Sequence, residues 1–294
     1  MSKQEKKSFL GGAAVLAAAV AIVKIIGAVY KIPLGNIIGD EGKAHFTVAY
    51  NIYNLLLTIS TAGLPLAISK LTSEAHALGR ENEKRKIFST SIWLFFGLGL
   101  VFSLFMFFGS AQLAAFMNDS LAFWSIRALS PAVFCVCLLA CMRGYTQGQG
   151  NMTPTAVSQI LEALCKLGIG LSLAWYFLQL GKGVEISAAG AIMGVTVGTV
   201  LSMVFLIFYL LRHRDIFSWS RTALRLRAEK VRSILNIGIP CAIQMTVAGI
   251  SWLVVTYLIN DYGAVISAAN AYSGKIKDLS GMFISATSTA AASM

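Results

Sequence analysis

Apolar residues along this chain gather into eight stretches, near positions 9–30, 46–69, 87–109, 121–142, 155–180, 186–211, 234–259 and 264–291. Each is close to or above the roughly 20 residues that a helix needs to cross the hydrocarbon of a bilayer, so the pattern predicts membrane spans. Basic residues between the stretches are distributed unevenly. Lys3, Lys6 and Lys7 precede the first stretch, and Lys70, Arg80, Lys84, Arg85 and Lys86 lie between the second and third. Arg143 follows the fourth, and Arg212, Arg214, Arg221, Arg225, Arg227, Lys230 and Arg232 lie between the sixth and seventh. The opposite connections hold only Lys31, Lys43 and Lys182. Sixteen basic residues against three set the N-terminus on the cytoplasmic side. The predicted fold class is an all-α polytopic membrane protein of about eight transmembrane helices, in a bacterial inner membrane or an equivalent plasma membrane.

Composition agrees: 56% of residues are hydrophobic and 13% charged, far from an ordinary soluble domain. The net charge of +11 needs no nucleic acid to explain it, since most of the excess sits in short cytoplasmic connections where it meets anionic lipid head groups. The first apolar run is too long for a cleaved signal peptide, and further spans follow it. Cys135, Cys137, Cys141, Cys165 and Cys241 all fall inside spans, where a thiol packs as a small hydrophobe. Their odd number and location predict neither a disulfide framework nor a metal site.

No connection is large enough for a soluble catalytic domain, so function must lie within or between helices. Residues 212–233 form the longest connection, read as a basic cytoplasmic linker that is either a solvated connector or an interfacial amphipathic helix. Ile38-Gly39-Asp40-Glu41-Gly42 follows the first span, and Ile259-Asn260-Asp261-Tyr262-Gly263 follows the seventh. Matching turns at matching topological positions predict a repeat of about 220 residues, as in transporters built from two similar halves. Residues 1–211 are then one six-helix lobe, and 234–294 the first two helices of a second. The uncapped run to Met294 is read as an early stop, with the cavity completed by a second lobe or another copy.

Ionisable residues inside spans cost roughly 2.5–3.5 kcal/mol each at a helix centre, which makes them pointers to function. Lys24, Arg127, Glu162 and Lys166 are the candidates for a substrate cavity, and Asp278, beside Lys275 and Lys277, for ion coupling. Glu162 and Lys166 stand four apart on one helix face. Either they neutralise each other, or Lys166 is only partly compensated and faces a polar cavity. Arg127 lies near an outer end, where it either snorkels to the interface or joins the cavity. Lys24 has no partner on its own helix. Basic residues outnumber acidic ones in this set, so a cavity they line favours an anionic cargo. Pro65, Pro131 and Pro240 are candidate kinks or hinges. Thr153-Pro154 reads as an N-cap with proline at the first helical position. Gly144, Gly148 and Gly150 read as a tight cytoplasmic loop, and His45, His76 and His213 as solvated side chains.

Three segments carry a family resemblance: Ile37-Ile38-Gly39-Asp40-Glu41-Gly42, the run Leu55 to Lys70 (LLLTISTAGLPLAISK), and Arg143-Gly144-Tyr145 with Met152 to Gln159 (MTPTAVSQ). With these, residues 1–214 resemble the stage V sporulation protein B and polysaccharide-export branch of the multidrug/oligosaccharidyl-lipid/polysaccharide (MOP) flippase superfamily. Residues 234–294, with Ile237-Gly238-Ile239-Pro240, Gln244 and Asn260 to Asp278, resemble its multidrug and toxin extrusion (MATE) branch. The resemblance implies two six-helix lobes around a V-shaped cavity, alternating access, no cofactor and a lipid-linked oligosaccharide or cell-envelope precursor as cargo. It also implies a pyrophosphate-binding role for basic cavity residues, placed on Lys24, Arg127 and Lys166 by location alone. The competing reading is a cation-coupled multidrug exporter taking cationic drugs, although the acidic residue that branch carries in its first span is absent here. A membrane enzyme would need an acidic or histidine cluster at one face, and none is found.

Overall fold

A computed structural model describes residues 3–61, 63–117, 119–213, 231–240 and 243. Every regular element among them is helical: α1 (Lys3–Thr61), α2 (Leu64–Ala77), α3 (Glu81–Phe108), α4 (Ser110–Phe116), a 3₁₀ turn at Ser120–Ala122, α5 (Phe123–Gly148), α6 (Thr153–Gln179) and α7 (Val184–Arg212). A further helical segment covers 231–240.

Continuous helical hydrogen bonding over 59 residues does not make α1 a straight rod. Gly39 has φ 65° and ψ −169°, a left-handed backbone conformation that glycine adopts at little steric cost. The rings of Tyr30 and Phe46 lie 6.2 Å apart. Sixteen residues of straight helix would hold them about 24 Å apart, so the chain doubles back at Gly39. Two antiparallel arms result, and the predicted first and second spans are both present, joined at the predicted turn. The apolar part of α1, Ala14–Thr58, is 45 residues long, enough for one crossing in each arm. With α3, α5, α6 and α7, the described lobe has six membrane-length segments.

The two ends of the bundle are distinct. A Cβ placed on Gly42, beside the hairpin apex, would meet Val184 at the start of α7, and His45 bonds Asp119 in the connection before α5. At the opposite end, a Cβ on Gly12 would meet Met152 of the α5–α6 turn, and Asn151 Nδ2 donates to Tyr209 Oη at 2.8 Å. The connections therefore alternate between two faces, as the distribution of basic residues requires.

α5 is the central helix, with Ile126, Leu129, Ala132, Val133, Cys137, Leu139 and Tyr145 fully buried. Its neighbours turn Phe96, Phe105, Phe108, Trp175 and Phe208 outward, as a lipid-facing surface allows. Glycine brings the helices close. Gly144 and Gly148 lie inside α5, not in a loop, and stand against the backbones of Pro65 and Ser69 on α2. The turn itself is made by Gly150, at φ 77°. Gly190, Gly194 and Gly198, spaced four apart, make one face of α7 against α6, and a Cβ on Gly194 would come within 2.4 Å of the Gly170 backbone.

Several local expectations take a different form. The second predicted span is broken: Gly63 (φ 76°) ends one helix and α2 begins. Pro65 occupies the first turn of α2, where its missing N–H leaves nothing unpaired, so it starts a helix instead of kinking one. Pro131 lies inside α5, and Pro33 inside α1. Pro240 is the exposed last residue of the described segment 231–240. The N-cap of α6 is Met152, not Thr153, and in the turn before it Asn151 Oδ1 accepts from Thr153 N at 3.2 Å. Ile234 of the segment 231–240 is buried in the main core, and a Cβ on Gly238 would meet Leu64. Most of the 212–233 linker and of 234–294 lies outside the described residues.

Candidate functional site

Lys166 stands midway along α6, thirteen residues from each of the ends Thr153 and Gln179. Its ammonium lies 4.6 Å from the ring centroid of Tyr50, 5.1 Å from that of Tyr30 and 5.9 Å from that of Phe46. All three separations fall within the range in which a cation is drawn to an aromatic face. The α1 hairpin builds this wall. Phe46 and Tyr50, four apart on one arm, stack at 5.7 Å, and Tyr30 comes from the other arm. Tyr30 is held from behind, where its hydroxyl donates to Ala191 O of α7 at 3.3 Å. Gly170 leaves room for this contact, since a Cβ there would meet both Ala191 O and Tyr30 Oη.

Glu162, one turn below Lys166, is engaged elsewhere. Arg143 Nη2 of α5 donates to its Oε2 at 3.0 Å, and Arg143 Nε donates to Ser158 Oγ at 2.9 Å. Ser158 Oγ in turn donates to Thr155 O, and its own carbonyl accepts from Ser202 Oγ of α7. This half-buried polar string joins three helices. The guanidinium, not the neighbouring lysine, makes the ion pair with Glu162, and the Lys166 ammonium faces aromatic rings instead. Sequence spacing pairs Glu162 with Lys166. It does not find Arg143, which sits just past the apolar run of its span and reads as a loop residue.

The other candidates are dispersed. Arg127 lies one turn into α5 at the end nearest the α1 hairpin apex, exposed, with its guanidinium 4.6 Å from the Phe107 ring and 5.6 Å from Phe123. It does not converge with Lys166. Lys24 is exposed on the first arm of α1, six residues before Tyr30, and joins none of the ion pairs among the described residues. Asp278 lies outside the described residues. His45 departs most from expectation. It is buried, 6% exposed, and its Nδ1 lies 2.7 Å from Asp119 Oδ2. Among the described residues, no group of three His, Cys, Asp or Glu side chains is arranged to hold a metal.

A bundle of membrane-length helices with an ammonium midway along one of them, set against aromatic rings, fits a membrane transport protein. The chain belongs to the polysaccharide biosynthesis protein family, which it matches over residues 9–276, and so to the MOP flippase superfamily. It is 31% identical over 232 residues to stage V sporulation protein B of Bacillus subtilis (strain 168), covering 79% of this chain and 43% of that protein. To the lipid II flippase MurJ of the same organism it is 32% identical over 210 residues, covering 68% of this chain and 39% of that one. The chain thus spans about two-fifths of the length of these relatives. A crystal structure of MATE in the straight conformation matches with a TM-score of 0.84 at 18% identity, covering 98% of this chain and 64% of that one, which shows the shared fold.

Proposed function

We propose that this chain forms the first lobe, with the start of the second, of a flippase that moves an anionic lipid-linked saccharide or cell-envelope precursor across the cell membrane by alternating access. The observation that carries this reading is the mid-membrane ammonium of Lys166, which faces an aromatic wall while the nearest carboxylate is bound to Arg143. A cation held at that depth without a carboxylate partner attracts phosphate. The name of the MurJ relative, a lipid II flippase, supports the cargo class. Lys24, on the arm that carries Tyr30, is proposed as a second cation of the cavity. Arg127 is left at the outer rim. The lobe occupies 1–211, with 212–233 as the linker and 234–294 as the start of the second lobe. The N-terminus is placed in the cytoplasm by the bias of basic residues, and membrane lipids and a second lobe or copy are the proposed partners.

A cation-coupled drug exporter is the second reading, favoured by the MATE fold. It calls for an unpaired carboxylate in the membrane; Glu162 is paired, and Asp278, the candidate for that role, lies outside the described residues.

The test uses the full-length protein in proteoliposomes with a fluorescent polyprenyl-pyrophosphate saccharide as probe. Lys166→Met is expected to slow translocation at least about tenfold, the loss of one charge-assisted contact, while Lys166→Arg keeps most of it. Unchanged translocation by Lys166→Met at normal expression refutes the assignment. Efflux of ethidium driven by an ion gradient, without translocation of the probe, establishes the exporter instead.

A further inference from the structure

His45 and Asp119 form a contact that the proposed transport site does not use. His45 lies six residues past the hairpin apex on α1, and Asp119 in the connection between α4 and α5. Their side chains are 8% and 16% exposed, and Nδ1 and Oδ2 are 2.7 Å apart. Asp119 does a second task, as its Oδ1 accepts from Ala122 N and caps the 3₁₀ turn that leads into α5. The contact therefore ties the outer end of the α1 hairpin to the outer entry of the central helix. An ionised carboxylate only accepts, so the Nδ1 of His45 carries its hydrogen toward Asp119. The other ring nitrogen, Nε2, is buried and makes no hydrogen bond among the described residues.

We propose that His45 and Asp119 form a proton-binding site at the outer end of the lobe, where a proton taken up at His45 Nε2 tightens the tie between the α1 hairpin and the start of α5. In the proton-free state, a neutral imidazole donates Nδ1–H to the carboxylate. In the proton-bound state, an imidazolium makes the same bond as an ion pair, which adds the attraction of unlike charges to a bond the carboxylate already accepts. Other charges at this end are placed elsewhere. On α1, Lys43 Nζ binds Asp40 and Glu41 is exposed. On α5, Arg127 lies over Phe107 and Phe123. The carboxylate of Glu185 on α7 lies over Gly183, and Lys182 is exposed in the α6–α7 turn. The α4 sequence SAQLAAF has no titratable group. Asp119 is the one charged partner bonded to His45 among the described residues.

The test is hydrogen exchange of the full-length protein in lipid nanodiscs at pH 5.5 and pH 8, corrected for the intrinsic exchange rate, read over residues 40–48 and 119–126. The wild type is expected to be protected about fivefold more at pH 5.5 than at pH 8, from the added attraction between an imidazolium and the carboxylate. His45→Gln, which keeps a donor but cannot take the proton, is expected to show no such change, and so is Asp119→Asn. If one variant does not fold, the other serves, and the Nε2 resonance of His45 against pH in the wild type gives a third readout. Equal protection at both pH values in the wild type overturns the proposal, as does weaker protection in acid or the same pH dependence in His45→Gln.

Discussion

Leucine in place of Gly194 is expected to stop the lobe from assembling. A Cβ there would stand 2.4 Å from both Cα and N of Gly170, and Gly170 has no side chain that could turn aside. Ordinary carbon contacts lie near 3.5–4.0 Å, so α6 and α7 must separate by more than an ångström along their whole interface. Overpacking in a core that can adjust costs about 1–3 kcal/mol. Here the obstruction is backbone, and the true cost lies at or above that range. The damage extends to the site, because the same contact seats Tyr30 beside Ala191 and Tyr30 forms part of the wall that faces Lys166. The check is the yield of monodisperse protein from membranes and its melting temperature. Gly168→Ala is the control: it lies on the facing helix α6, two residues before Gly170, and its Cβ would meet nothing within 4 Å. This variant is expected to gain about 0.5–1 kcal/mol from reduced backbone entropy. A Gly194→Leu protein as stable as the wild type would mean that α6 and α7 do not pack through this glycine face.

The contrast between the Gly39 turn and the Arg143 contact shows what the sequence discloses and what it does not. A turn announces itself locally, since Gly-Asp-Glu-Gly between two apolar runs needs no tertiary context. The alternation of basic residues likewise reports on each connection separately, and the ends of the helices follow it. Partner choice is different. Helical spacing puts Lys166 beside Glu162 on one face, but a guanidinium on α5, bonded also to Ser158, captures the carboxylate. That outcome depends on how closely α5, α6 and α7 approach. The four-residue spacing of Gly190, Gly194 and Gly198 was the available sign of close approach. Arg143 and His45 are inconspicuous in the sequence for a common reason. Each lies at the edge of an apolar run, and a polar residue there looks like part of a loop. The helices continue past those points, because charge ends a hydrophobic stretch without ending the helix.

Removing the guanidinium with Arg143→Ala is expected to cost stability and to abolish transport for two separable reasons. Its loss leaves the Glu162 carboxylate, 25% exposed at the side chain, without its counter-charge between α5 and α6. Breaking one side of a buried pair costs about 3–5 kcal/mol, and partial exposure places this case at the lower end. The orphaned carboxylate has one compensation within reach, since Lys166 is four residues away on the same face, the spacing at which a glutamate and a following lysine attract. Glu162 is then expected to pair with Lys166, recover part of the stability and remove the free cation on which the proposed phosphate contact depends. The two effects separate in a double variant. Arg143→Gln with Glu162→Gln deletes both charges of the pair, leaves amide hydrogen bonds in their place and returns Lys166 to its unpaired state. Melting temperature and translocation of the pyrophosphate-linked probe should both recover toward the wild type, whereas Arg143→Gln alone should recover neither fully. If the single variant transports as well as the double, Glu162 does not reach Lys166, and the guanidinium serves packing alone.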